Sequence, residues 1–212
     1  GLYSSSQYSQ TIKIIEELIR DFPNEHLLFN ICGACYSELG SIPLAIDNFK
    51  RAILIKKDYA EAQYNLGVAY QKIEQLENAA ASYNQAINSK HAYPTAHNNL
   101  GIIFLNQNNI EAAVKSFEWA LAYQPNYAEA YNNLGSALQE LKQFETAKKQ
   151  FEKAISINSN YAQALHNLGI LCEIINLPKD AISNYEKALE VNPNFAEAYR
   201  NLSKDKKFKS KD

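Results

Sequence analysis

Residues Ala128–Asn160 read AEAYNNLGSALQELKQFETAKKQFEKAISINSN. Two helix patterns lie in this stretch. Tyr131, Leu134 and Leu138 have the spacing of one helix face. Ala147, Phe151, Ala154 and Ile155 mark the buried face of a second helix. Gly135 falls inside the first, where glycine weakens an isolated helix by roughly 1 kcal/mol relative to alanine. A close approach of the two helices accounts for it, with the small Ala147 and Ala154 serving the same end and Gly135→Leu expected to overpack the pair.

The stretch recurs along the chain. Gly33, Gly67, Gly101, Gly135 and Gly169 stand 34 residues apart. Ala45, Ala79, Ala113, Ala147 and Ala181 keep the same step, as do the aromatics Phe49, Tyr83, Phe117, Phe151 and Tyr185. A fixed period of this size is the signature of a solenoid. With position 1 at His26, Ala60, Pro94, Ala128 and Ala162, full repeats fill 26–59, 60–93, 94–127, 128–161 and 162–195. Residues 8–25 match a second half-repeat, and 196–212 hold a partial repeat that loses the pattern after Leu202 and ends in a basic tail. Gly1–Ser6 reads as the remnant of a preceding first helix, so the whole chain, 1–212, reads as a single repeat domain cut from something longer.

Each repeat is expected to hold a helix A from position 1 and a helix B ending near position 30. Pro23, Pro125 and Pro193 at position 32 terminate helix B, while Pro43, Pro94 and Pro178 suit helix starts. Lys57, His91 and Ser159 replace that terminating proline, and only Gly40 supplies a glycine at position 15, so looser turns are expected elsewhere. Tyr59, Tyr93, Tyr127, Tyr161 and Phe195 at position 34 are placed to pack onto the next helix A.

The pattern resembles the tetratricopeptide repeat (TPR) family over nearly the whole chain. The resemblance implies an all-α fold, a right-handed α-solenoid of antiparallel helix pairs, with helix A lining the concave face. It also implies a binding module rather than an enzyme.

Composition narrows function further. A net charge of −2 excludes a strongly basic nucleic-acid binder, and no apolar run suits a membrane span of about 18 residues or more. Three cysteines fit a reducing compartment, so a cytoplasmic location is expected. Cys32 and Cys35 form a C-x-x-C, but they occupy positions 7 and 10, where other repeats carry core residues; packing explains them better than a metal. No phosphate loop, dinucleotide fingerprint or nucleophile elbow occurs, and no catalytic residue, cofactor or metal is expected.

The 23 asparagines need a reason of their own. Position 6 is Asn65, Asn99, Asn133, Asn167 and Asn201, with Ile31 the departure. Asparagine is a mediocre helix former, and position 6 lies off the core stripe. One reading is a bond to the adjacent helix that fixes repeat stacking. The other is a ladder of amides, each offering the donors and acceptor that a peptide main chain needs. Similar ladders hold peptide main chain in the superhelical TPR region of O-linked N-acetylglucosamine transferases. That resemblance assigns peptide binding to Asn65, Asn99, Asn133, Asn167 and Asn201, with Asn98, Asn132 and His166 at position 5 beside them. The expected partner is a protein or extended peptide, and exposed repeat ends would also allow self-association. The basic tail is also similar to the junction between a bacterial TPR array and a sulfotransferase-like domain. The alternative function is therefore substrate presentation within a larger transferase.

Overall fold

The computed structural model describes the backbone of residues 2–209 and the side chains of 6–204. Among the described residues there are twelve helices and no strand, an all-α solenoid of helix pairs. Helix A recurs as α2 (His26–Glu38), α4 (Ala60–Lys72), α6 (Pro94–Asn106), α8 (Ala128–Glu140), α10 (Ala162–Ile174) and α12 (Ala196–Lys209). Helix B recurs as α1 (Leu2–Asp21), α3 (Ile42–Ile55), α5 (Leu76–Ser89), α7 (Ile110–Tyr123), α9 (Phe144–Ile157) and α11 (Pro178–Val191). From α2 on, every helix A begins at position 1 of its repeat and every helix B at position 17. No helix is long and apolar enough to cross a membrane among the described residues.

The chain divides into two compact units, residues 1–103 and 104–212. In the first, α1 packs on α2, α2 on α3, α3 on α4 and α4 on α5. In the second, α7 packs on α8, and the same succession runs through to α12.

The repeated small residues have the role that their period implies. A Cβ placed on Gly33, Gly67, Gly135 or Gly169 would lie 2.5–2.7 Å from the position 24 ring of its own repeat. That ring is Phe49, Tyr83, Phe151 and Tyr185 in turn, each of them buried. Phe49 also meets Ala45 of its own helix and Leu66 and Ala69 of the next helix A. One aromatic therefore ties a helix pair together and joins it to its successor. Cys32 and Cys35 pack with Ile12 and Ile15 as core residues, and burial pushes the Cys32 thiol up to about 11.

Two expectations need correction. Where proline or glycine is missing the turns keep one form, except at His91, where the Tyr93 N–H turns to the His91 carbonyl instead of the position 31 carbonyl. Position 31 donates its N–H to the position 27 carbonyl in every full repeat: Lys56 to Ala52, Lys90 to Ala86, Gln124 to Ala120, Asn158 to Ala154 and Asn192 to Ala188. Position 15 is left-handed throughout, with φ of 76° at Gly40 and 58° at Glu74, Asn108, Lys142 and Asn176. The reason is the helix A stop: position 16 N–H must reach the position 11 carbonyl, as Gln75 reaches Tyr70 at 3.0 Å, and only a left-handed residue between them allows it. Second, Leu2–Ser6 is not a separate helix remnant, because α1 runs unbroken from Leu2 to Asp21. The repeat pattern fades after Leu202, and α12 continues past it to Lys209. The remainder of the basic tail, residues 210–212, lies outside the described residues.

Candidate functional site

Helix A places positions 2, 5, 6, 9 and 13 along one side, off its core stripe. The position 6 asparagines, Asn65, Asn99, Asn133, Asn167 and Asn201, are all half-buried. Their position 5 neighbours Asn98, Asn132 and His166 are buried, Asn98 completely. The two rows therefore differ in access, and only the first reaches solvent.

Within each unit the rows are joined across successive repeats. In the first unit Asn65 Nδ2 donates to Asn30 Oδ1 at 3.0 Å. Asn30 Nδ2 in turn donates to Tyr59 Oη and to the Glu61 carboxylate, both at 3.2 Å. Asn99 Nδ2 donates to Tyr83 Oη at 3.2 Å and to Tyr64 Oη at 3.4 Å. Tyr83 spends its own proton on Gln71 Oε1 at 2.8 Å, and burial pushes its phenol above the usual range.

In the second unit Asn167 Nδ2 donates to Asn132 Oδ1 at 2.9 Å, and Gln163 Nε2 donates to Asn167 Oδ1 at 2.9 Å. Asn132 Nδ2 also reaches Asn133 Oδ1 at 3.4 Å. Asn201 Nδ2 lies 3.2 Å from His166 Nε2. The other ring nitrogen, Nδ1, is buried without a hydrogen-bond partner among the described residues. Tyr185 and Phe195 press on the ring, and burial lowers the pKa of His166 while the Glu197 carboxylate opposes that shift.

The sequence pattern located the asparagine row and two of its partners, Asn132 and His166. It did not assign Asn30, Tyr59, Tyr64, Tyr83, Glu61 or Gln163 to the network. One signal was available: where position 24 is tyrosine, position 12 is an acceptor, Gln71 for Tyr83 and Glu173 for Tyr185, each at 2.8 Å. No group of three or more histidine, cysteine or acidic side chains is placed to hold a metal among the described residues.

The fixed period, the helix pairs and the small-residue register all point one way. A sequence profile described as "TPR repeat" matches residues 33–74, 72–108 and 101–142, and one described as "Tetratricopeptide repeat" matches 126–194. The chain belongs to the tetratricopeptide repeat family. Among solved structures, this TPR chain is similar to YrrB, described as a TPR protein with an unusual peptide-binding site. The TM-score is 0.73 at 17% identity, covering 89% of this chain and 97% of that one. It is also similar to MamA, with a TM-score of 0.70 at 25% identity over 78% of this chain and 96% of that one. A curated relative is the peroxisomal targeting signal receptor of Saccharomyces cerevisiae, 31% identical over 67 residues. The match spans 32% of this chain and 11% of that receptor.

Proposed function

We propose that this TPR chain is a non-enzymatic scaffold that holds an extended peptide of a protein partner along its helix A faces. The observation that carries the reading is the row of half-exposed position 6 amides, each at the same repeat position and each in the first unit held in orientation by its neighbours. Helices pack about 8–10 Å apart and an extended chain advances about 3.3 Å per residue. Within each unit, successive asparagines would therefore meet the ligand main chain every ~3 residues.

Three similarities support the proposal. The asparagine ladders of O-linked N-acetylglucosamine transferases hold peptide main chain in the same way. YrrB is described by its peptide-binding site, and the yeast relative is named a receptor for a targeting signal. The inner positions 2 and 5 of the five full repeats carry no lysine or arginine, which disfavours a ligand held by its terminal carboxylate.

The test is a peptide array probed with the whole chain, followed by calorimetry of the best peptide on wild type and on Asn99→Ala/Asn133→Ala/Asn167→Ala. The proposal expects a loss of affinity of about tenfold or more with helicity retained. Unchanged affinity in a folded triple variant would remove the ladder from the account.

A further inference from the structure

An asparagine amide has two chemically different ends, and the hydrogen-bond network decides which end faces a ligand. In the first unit that decision follows from groups whose roles are fixed. Glu61 is a carboxylate and only accepts, so Asn30 must turn its nitrogen toward it at 3.2 Å. The oxygen of Asn30 is then the atom left for Asn65, which must answer with its own nitrogen at 3.0 Å. Asn99 is fixed from the other side. Tyr83 has donated its proton to Gln71, so its oxygen receives from Asn99, and Tyr64 takes the second N–H. The nitrogens of Asn65 and Asn99 are thus committed to the protein. Neither Oδ1 has a donor among the described residues.

Two carboxylates and one ammonium lie along the same faces, and acid prevails. Glu61 is exposed one helical turn before Asn65, and Glu38 is exposed near the end of α2. Lys72, on the same side of α4, donates to Ser37 Oγ at 2.9 Å. We infer that the helix A face formed by α2, α4 and the start of α6 is built to accept hydrogen bonds and takes a basic extended peptide. Lysine or arginine side chains of the ligand would meet Glu38 and Glu61, and its main-chain N–H groups would meet the oxygens of Asn65 and Asn99. This specificity rests on the peptide-binding reading above and sharpens it from any extended segment to a cationic one.

The experiment uses the full chain and three fluorescein-labelled peptides of about 12 residues, enough to span three repeats at ~3 residues each. They are Gly-Ser-Lys, Gly-Ser-Gln and Gly-Ser-Glu repeats, compared by fluorescence anisotropy at about 0.15 M salt, where long-range attraction is screened. The lysine peptide is expected to bind about tenfold tighter than the glutamine peptide, with the glutamate peptide weakest. Glu61→Gln keeps an acceptor for Asn30 and removes the charge. It is expected to weaken the lysine peptide about threefold or more beyond any loss of the glutamine peptide.

Equal or tighter binding of the glutamine or glutamate peptide overturns the cationic specificity. The peptide-binding reading survives that result if those peptides weaken in Asn65→Ala/Asn99→Ala, and falls with it if they do not. A chain that binds none of the three also overturns the specificity.

Discussion

Asn65 and Asn30 stand 35 positions apart in sequence and share a hydrogen bond of 3.0 Å, amide nitrogen to amide oxygen. Asn167 and Asn132 repeat the relationship at 2.9 Å, and Asn201 and His166 do so at 3.2 Å. The position 6 asparagine is therefore a stacking element whatever else it binds. In these three pairs its nitrogen satisfies a group buried between repeats. The first prediction concerns that structural half. Asn167→Ala leaves the buried Asn132 oxygen without its donor and should cost about 1–3 kcal/mol in urea unfolding. Asn48→Ala removes only an exposed bond to Leu44 of the same helix and should fall within about 0.5 kcal/mol of wild type.

Helix-pair closeness makes a second prediction. A Cβ at Gly67 would lie 2.6 Å from the Tyr83 ring. Gly67→Ala should destabilise by about 1–3 kcal/mol despite the better helix propensity of alanine. Combining it with Tyr83→Leu should restore part of that loss, and the shortfall from additivity measures the contact. Fully additive effects would show that the two residues do not meet.

The third prediction concerns the turns. Glu74 and Lys142 hold φ of 58°, a region that opposes an L side chain by roughly 1–2 kcal/mol. Glycine removes that strain and loses some entropy on folding. Glu74→Gly and Lys142→Gly should each raise stability by about 0.5–1 kcal/mol in chemical denaturation. Asn108→Gly and Asn176→Gly should gain less, because asparagine tolerates this conformation better. A loss of stability in all four would contradict the left-handed assignment.

Acid should loosen the chain through its buried imidazoles. Burial lowers the pKa of His97, which lies 3.2 Å from the His91 carbonyl through Nε2, and of His166. The folded state thus binds fewer protons than the unfolded state near and below the ordinary value of 6.5. This contribution to stability is intact above 6.5, falls as the pH drops below it, and levels off below the lowered folded values. Thermal melting should drop between about pH 7 and 5, and His97→Gln/His166→Asn should flatten that slope.

Period and phase were legible in the sequence because sterics repeat them: a glycine faces the position 24 ring at Phe49, Tyr83, Phe151 and Tyr185, and each helix A starts where position 1 was set. The left-handed turns were hidden because Glu74 and Lys142 look like ordinary helix residues. Their conformation is imposed by the bond from position 16 to position 11, as in Gln143 to Leu138 at 2.9 Å. The asparagine row was legible as a row, but its polarity was not. An amide reads the same in sequence whichever end faces inward. For Asn65 the choice is made by the Glu61 carboxylate acting through Asn30, and for Asn99 by the hydroxyl of Tyr83.

The central claim is that the position 6 amides meet the ligand. Nitrogen-15 spectra of the whole chain, titrated with the best array peptide, test it without altering a residue. The account predicts that the side-chain amide signals of Asn65, Asn99, Asn133 and Asn167 shift to saturation with the peptide, while those of the turn residues Asn108 and Asn158 stay in place. A peptide that binds and leaves the four ladder signals unmoved would contradict it.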